Sequence, residues 1–200
     1  VYSTALSTTT ALKEAQLAIS KMQGHKVSYP VVYDLEYAKA SKLSAKTVSE
    51  MALTFCNEVR RAGYYPMVYC NTNWYDNYID WSLLSGVDVW IARYGDTIQA
   101  PDKERYNYTI WQSTDGNRES GLNSTSGLVA GIPAGNDVDM DFGYVDYTKK
   151  ITPRWKSLDS YVPAVKPDTG SNDGSQEQTG LHQENGKYYY VNENGERVSD

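Results

Sequence analysis

Two stretches in the first half of the chain repeat apolar residues at the spacing of three and four positions that is typical of amphipathic helices. The first follows the threonine run at 8–10, which can cap a helix, and ends before Gly24. The second begins after Ser44, a good N-cap residue, and ends at Gly63. We therefore predict two helices, each with one apolar face to bury.

Short apolar runs rich in β-branched and aromatic residues alternate with these helices and predict strands. They lie at 31–37, 66–71, 88–94, 108–113 and 138–142, and a short helix is predicted at 74–84. This order predicts an α/β fold, with a parallel sheet covered by helices. The last two runs are joined by loops without room for a full helix, so we expect the second half of the sheet to lose its helices. Residues 1–3 look like the end of a strand that has no earlier element to pair with.

Charge and cysteine content narrow the classes of function. The chain has 25 acidic and 19 basic residues, for a net charge of −6. This balance argues against a nucleic-acid partner, because phosphate binding needs a basic surface. No apolar run approaches the roughly 18 residues of a membrane-spanning helix, so we expect no membrane partner. Cys56 and Cys70 are too few and too far apart for a metal site, and they form either a disulfide or two small buried apolar positions.

The strand predicted at 31–37 follows Pro30 and carries two carboxylates near its end, Asp34 and Glu36. Side chains at positions i and i+2 of a strand point to the same face, roughly 6.5 Å apart along the backbone. The two carboxyls would therefore share one space, repel each other and separate their pKa values, which suits acid–base chemistry on a polar substrate. A strand that leaves a sheet also often carries acids into solvent, and the pair alone permits both interpretations.

Polar and aromatic residues stand at the predicted carboxyl ends of five successive strands. These residues are Asp34 and Glu36, Tyr69 and Asn71, Arg93 and Tyr94, Trp111 and Gln112, and Asp139 and Asp141. In parallel α/β barrels the active site forms at this rim. Tryptophan and tyrosine also stack on sugar rings, because their faces are apolar and their edges polar. Aromatic residues can equally fill the core, a role that we assign to Trp81 and Trp90 and leave open for Trp74 and Trp111.

Five segments, in a constant order and at compatible spacing, carry a resemblance to a known family. They are 28–36, 63–69, 89–94, 110–112 and 138–141. Together they resemble the family 25 glycoside hydrolases, the Chalaropsis-type N-acetylmuramidases (lysozymes) of bacteria and phages, over roughly residues 1–147. The resemblance implies an irregular, TIM-like β/α barrel whose later strands lack helices. It also implies cleavage of the β-1,4 bond between N-acetylmuramic acid and N-acetylglucosamine.

This resemblance further implies the partners and location of the protein. The partners would be the peptidoglycan glycan strands of a bacterial cell wall, and the enzyme would be secreted and wall-associated or borne by a phage. No cofactor and no metal are required. The two histidines, His25 and His182, stand in unrelated contexts and are expected at the surface.

Single residues take roles from the same resemblance. Glu36 matches the general acid, Asp34 the neighbouring carboxylate and Asp139 the late acid. The saccharide groove of the family matches Tyr69, Tyr94, Trp111 and Gln112, and the strand-end argument adds Asn71 and Arg93 to this substrate-binding set. Glu36 would protonate the leaving oxygen. Asp34 would either hold the substrate's N-acetyl group for attack on C1 or act in a direct displacement or in water activation.

The start of the sequence departs from the family. Family members begin with a strand that carries an Asp-Val-Ser-like block and another active-site aspartate, and this sequence begins after that region. We therefore expect a barrel without its first βα units, either as a fragment or completed by a partner chain. An incomplete barrel would expose the edges of its sheet.

The composition changes after residue 151. Prolines and a polar run predict a flexible linker at 152–179. Residues 180–200 predict a small β-hairpin, with turns at Asn185-Gly186 and Asn194-Gly195. This segment resembles part of an aromatic cell-wall-binding repeat of choline- and glucan-binding proteins, although Gly180-Leu181 replaces the usual Gly-Trp. The predicted domains are thus a partial catalytic barrel at 1–151, the linker, and a partial repeat.

Two other functions fit the residues. A non-catalytic cell-wall carbohydrate-binding protein would keep the groove without turnover. The missing first strand favours inactivity of the chain as given. The presence of Asp34, Glu36 and Asp139 favours the enzyme instead. Hydrolysis of another N-acetylated glycan, such as chitin, is the second possibility, since the pair Asp34 and Glu36 by itself would permit it.

Overall fold

The computed structural model describes residues 1–95, 99–116, 125, 129–153, 161–164, 180–184, 187–191 and 197–198, the last three segments in their backbone. The α-helices are α1 (Thr8–Lys21), α2 (Ala45–Arg61), α3 (Thr72–Asn77), α4 (Lys103–Tyr106) and α5 (Tyr147–Lys150). The strands are β1 (Val31–Asp34), β2 (Pro66–Asn71), β3 (Asp88–Ala92), β4 (Ile110–Thr114), β5 (Met140–Gly143), β6 (Gly180–Glu184), β7 (Lys187–Val191) and β8 (Arg197–Val198). Short 3₁₀ helices cover Ala40–Lys42 and Trp81–Leu84.

One sheet of five strands, in the order β1-β2-β3-β4-β5, organises the first 150 residues. The first four strands are parallel, whereas β5 is antiparallel to β4. This direction corrects the prediction that Asp139 and Asp141 stand at a strand's carboxyl end. The start of β5 reaches the rim where the other strands finish, and Asp139 lies directly before it. The sheet and the helices that alternate with its strands confirm the mixed α/β class.

The two predicted long helices form, and their caps show why. Ser44 caps α2 as predicted, since its hydroxyl accepts a hydrogen bond from the Thr47 amide. At α1 the cap is Ser7 and not the threonine run. The Ser7 hydroxyl accepts from the Thr10 amide, and the Thr10 side chain accepts from the Ser7 amide in return. Two of the amides left unpaired at this helix end are satisfied in this way.

The core lies between the sheet and helices α1 and α2. Tyr33 of β1 stacks on Phe55 of α2, with ring centroids 4.2 Å apart, and both side chains are fully buried. Cys56 and Cys70 belong to the same core and are free. Of the two alternatives for these cysteines, the structure therefore shows the small buried apolar positions. Among the described residues no helix is both long and apolar enough to span a membrane.

Residues 1–3 run parallel to β1 along its outer edge. The Ser3 amide donates to the Asp34 carbonyl (3.0 Å), and the Asp34 amide donates to the Val1 carbonyl (2.9 Å). Glu14 of α1 fixes this segment, because its carboxylate accepts from the Ser3 hydroxyl (3.0 Å) and from the Tyr33 hydroxyl (2.8 Å). Residues 1–3, for which the sequence offered no earlier element to pair with, thus pair with the later strand β1.

Within the described residues the sheet has two open edges, residues 1–3 beside β1 at one side and β5 at the other. Side chains on β5 are correspondingly exposed, among them Met140 and Phe142. Closure into an irregular barrel, and a barrel without its first βα units, therefore stay predictions.

The chain after residue 151 contributes two further pieces of structure. Residues 161–164 return to the helices, where the buried carboxylate of Glu58 accepts from the Tyr161 hydroxyl and from the Ala164 amide (3.0 Å). Strands β6, β7 and β8 form a separate antiparallel sheet, and its first two strands lie beside α1. The predicted turns at 185–186 and 194–195 lie outside the described residues. The domain boundaries, the linker and the identity of the repeat stay predictions.

Candidate active site

An open cavity of about 520 Å³ lies at the carboxyl ends of the parallel strands. It is lined by Val1, Val32, Asp34, Glu36, Tyr69, Trp90, Tyr94, Gln112, Asp115 and Asp139. Six of the nine predicted site residues are in this set. The cavity is at the rim expected for an α/β sheet of this kind.

Strand register explains why these particular side chains meet. Asp34 pairs with Tyr69 on β2, and Tyr69 pairs with Trp90 on β3. Residues paired across parallel strands point to the same face, so the three side chains form one row. Gln112 lies two residues beyond Ile110, the partner of Trp90, and therefore joins the same face. The Tyr69 hydroxyl donates to the Gln112 side-chain carbonyl at 2.6 Å across that row.

The two carboxylates at the end of β1 both line the cavity. The strand ends at Asp34, three residues earlier than predicted, but the Leu35 amide still donates to the Tyr69 carbonyl (2.9 Å). This bond keeps the backbone extended, so that Asp34 and Glu36 point the same way while Leu35 is buried on the opposite side. Glu36 is exposed to solvent, whereas Asp34 is partly buried.

The environment of Asp34 changes its acidity. Burial, and then the neighbouring charge of Glu36, raise the pKa of Asp34 from its ordinary value of 3.8 to about 6, with the Val1 amino group opposing the shift. Its Oδ1 atom is buried and accepts no hydrogen bond from the described residues. A buried acceptor without a donor is costly, and it is suited to a donor that a ligand brings.

Asp139 and Asp115 line the same cavity from the other end of the sheet, where β4 and β5 lie. Asp115 directly follows β4, and Asp139 directly precedes β5, so the antiparallel pairing of these two strands brings the two acids to the same rim. Asp115 was not predicted, because no motif singles out one aspartate in a polar loop. Its position one residue after a strand end is the signal that could have found it.

Trp90 and Trp111 exchange the roles that the sequence suggested. Trp90, assigned above to the core, lines the cavity, and its indole N–H donates to the Asp141 carboxylate at 2.8 Å. Trp111, assigned to the groove, is buried and stacks on Phe142 with centroids 5.1 Å apart. The register causes this difference, since Trp111 pairs with the buried Ile91 and therefore points to the opposite face from Trp90.

Two other predicted groove residues do not line the cavity. The Asn71 side-chain carbonyl accepts from the Trp74 amide at 2.9 Å and caps α3, so Asn71 has a structural task. The Arg93 guanidinium donates to the Gln99 carbonyl at 3.2 Å and is exposed. Val32 also lines the cavity, and it shares the face of Asp34 two residues later. In the described parts of the chain, no group of three or more His, Cys, Asp or Glu side chains could hold a metal ion.

The family model for glycosyl hydrolases family 25 matches residues 1–122. The match covers more than half of the 200 residues, and the chain therefore belongs to this family. Comparison with curated protein sequences gives no match.

Solved structures agree with this fold. The CTP1L endolysin is 21% identical and superposes with a TM-score of 0.54, covering 73% of this chain and 45% of its own length. The modular autolysin LytC from Streptococcus pneumoniae is 23% identical with a TM-score of 0.51, covering 70% of this chain and 32% of its own length. The chain thus spans less than half the length of either protein.

Proposed function

We propose that this chain carries a peptidoglycan hydrolase that cleaves the β-1,4 bond between N-acetylmuramic acid and N-acetylglucosamine. The observation that carries the proposal is the cavity itself, in which Asp34, Glu36 and Asp139 converge beside partly buried aromatic side chains. Family membership supports a glycosidase, and the two solved structures reported above are named an endolysin and an autolysin. The partners would be glycan strands of the bacterial wall.

Glu36 is the proposed general acid. Its carboxyl is exposed in the cavity, where it can reach the glycosidic oxygen of a bound strand. Donation of its proton to that oxygen allows the sugar to leave as an alcohol while positive charge develops at C1. The carboxylate that remains takes a proton from the incoming water in the second half of the reaction.

Asp34 is proposed to hold the N-acetyl group of the sugar that reacts. Its unpaired, buried Oδ1 can accept the acetamido N–H, which directs the acetamido carbonyl oxygen toward C1. That oxygen attacks C1 as the glycosidic bond breaks, and water then reopens the ring that has formed, which is the substrate-assisted route of glycoside hydrolysis. Because the pKa of Asp34 is about 6, the carboxylate is ionised at neutral pH and can act as this acceptor.

Asp139 and the aromatic side chains complete the proposed site. Asp139 faces the β1 acids across the cavity, where a negative charge would stabilise the positive charge that develops on the sugar. Tyr69 packs edge-on against Trp90, with centroids 5.3 Å apart, which holds the indole in place as a surface for a sugar ring. Tyr94 lines the same cavity beside this pair.

The remaining parts of the chain fit an enzyme that acts on an insoluble polymer. A linker at 152–179 followed by a wall-binding repeat at 180–200 would keep the cavity close to the wall and raise the local substrate concentration. We propose accordingly a secreted, wall-associated or phage-borne protein. We also propose that the sheet belongs to an irregular barrel completed by the strands expected before Val1.

The test is the substitution Glu36→Gln, which keeps the shape of the side chain and removes its acidic proton. In the chain extended at its N-terminus by the strands expected before Val1, we expect cleavage of purified peptidoglycan to fall by at least about 100-fold, while sedimentation with the wall stays unchanged. The matched control is Glu50→Gln, because Glu50 is a surface residue of α2 paired with Lys46. Equal cleavage by the Glu36 variant and the unmutated protein would refute the assignment of the acid. Wall binding without cleavage in both would favour the carbohydrate-binding protein.

A further inference from the structure

Thr125 joins the two backbone segments that carry Asp115 and Asp139. Its hydroxyl donates to the Val138 carbonyl at 2.7 Å and accepts from the Val138 amide at 2.6 Å. Its own amide donates to the Gly116 carbonyl at 3.3 Å. The Thr125 side chain is 4% exposed, so water does not compete for these bonds.

Gly116 is the residue that allows this close approach. A Cβ atom at this position would lie 2.6 Å from the Thr125 hydroxyl oxygen and 2.7 Å from the Val138 amide nitrogen, both closer than atoms can come. The backbone of Gly116 also has a φ of +78°, which favours glycine. Its amide donates to the Thr114 hydroxyl at 2.9 Å. The turn after β4 is thus shaped so that Thr125 fits between it and the start of β5.

We propose that Thr125 is a positioning residue for catalysis, which holds Asp139 at the cavity by binding both backbone groups of Val138. This inference rests on the proposed function. Asp139 lies before the first residue of β5, where ladder hydrogen bonds to β4 no longer fix the backbone. The two hydrogen bonds between the Thr125 hydroxyl and the backbone of Val138 take the place of the strand hydrogen bonds that are missing here. A displacement of about 1 Å of a group in the site can cost 100-fold in rate, so a single buried hydroxyl can control turnover.

Amide hydrogen exchange tests the contact itself. In the unmutated protein and in Thr125→Ser, which keeps the hydroxyl, we expect slow exchange of the Val138 amide. Thr125→Val has the same shape without the hydroxyl, and it should exchange about 5- to 10-fold faster at this amide. Equal exchange of Val138 in all three proteins would overturn the inference. This measurement does not depend on activity.

Kinetics on peptidoglycan, measured with the N-terminally extended chain, test the consequence. We expect Thr125→Val to lower kcat by about 10- to 100-fold with little change in KM, and Thr125→Ser to restore most of it. The matched control is Thr109→Val, since the Thr109 hydroxyl bonds to the Val89 carbonyl and to Tyr147 at the opposite end of the sheet. It should lose stability without losing turnover.

A double-mutant cycle distinguishes positioning from general damage. When Asp139 is already replaced by asparagine, Thr125→Val should lower kcat further by less than about threefold, because the residue that it positions no longer acts. The same large loss in both backgrounds would overturn the inference, as would unchanged turnover of Thr125→Val itself. Failure of the proposed function is distinguishable, because it would appear as inactivity of the unmutated chain even when it is extended at its N-terminus, with Val138 exchange still dependent on Thr125.

Discussion

Replacing Asp34 by asparagine is expected to stabilise the folded chain at neutral pH while it removes activity. The substitution keeps the size of the side chain and removes a negative charge that is partly buried next to Glu36. Burial and the Glu36 charge raise the pKa of Asp34 to about 6, which means that its ionised form is disfavoured in the folded state. The proposed function needs that charge, and the fold does not.

The size of the effect follows from the pKa. A change from 3.8 to about 6 is roughly two pH units, or roughly 3 kcal/mol if the group were fully shielded. Solvent screening of a partly exposed carboxyl reduces this to about 1–2 kcal/mol. Between pH 4 and 6 the folded state binds more protons than the unfolded state, so the contribution of Asp34 to stability falls as the pH rises. Above pH 6 Asp34 is ionised in the folded state, and the fold bears the full free-energy cost of its partly buried charge.

Thermal unfolding at pH 7 and pH 4 measures this directly. At pH 7 we expect Asp34→Asn to raise the melting temperature by about 2–8 °C, given roughly 2–4 °C per kcal/mol for a domain of this size. Near pH 4 the Asp34 side chain is neutral in the folded state, as asparagine is at any pH. The difference in melting temperature between the two proteins should then largely disappear. The matched control is Asp80→Asn, since Asp80 is a partly exposed aspartate outside the cavity that caps the 3₁₀ helix at Trp81–Leu84.

Either of two results would refute this reasoning about Asp34. One is a lower melting temperature of Asp34→Asn at pH 7, which would mean that the carboxylate stabilises the fold through bonds absent from the structure. The other is a gain that is equal at pH 4 and pH 7, which would have to come from something other than the charge.

Two further predictions concern stability. Glu58→Gln removes the charge that accepts from Tyr161 and pairs with Arg61, so we expect a loss of about 1–3 kcal/mol in the free energy of unfolding and faster proteolysis near residues 161–164. Unchanged proteolysis would contradict it. At Asp88, burial raises the pKa, but hydrogen bonds, notably from Tyr147, outweigh it and lower the pKa overall. Asp88→Asn should therefore lower the free energy of unfolding by about 1–2 kcal/mol at pH 7 and by progressively less below pH 4. Denaturant unfolding that shows the same loss at pH 7 and below pH 4 would argue against this.

The elements that the sequence predicted well are those determined locally. Helix α2 begins one residue after its predicted cap, Ser44, and β2 has the predicted bounds. The acid pair of Asp34 and Glu36 was also predictable, because the alternation of side chains along a strand depends only on the backbone of that strand. Burial, and then the charge of Glu36, raise the pKa of Asp34, and the depth of Asp34 in the cavity is something that the sequence did not show.

The errors arose where distant segments decide the outcome. The direction of β5 depends on which strand it joins, and no local pattern contains that information. Trp90 and Trp111 both follow apolar neighbours in short strands, and only the register between β3 and β4 determines which one faces the cavity. Thr125 and Val138 are 13 positions apart in the chain, and no sequence motif links the two, so their contact was not predicted.

Cleavage of the glycan at N-acetylmuramic acid leaves that sugar as the new reducing end. A digest of purified peptidoglycan, with the new reducing ends identified by mass spectrometry, detects it. The chain should be used as it stands and also extended at its N-terminus by the segment expected before Val1. We expect reducing N-acetylmuramic acid from the extended chain, and none after Glu36→Gln. Reducing N-acetylglucosamine, or no new ends while both chains still sediment with the wall, would refute the proposed muramidase.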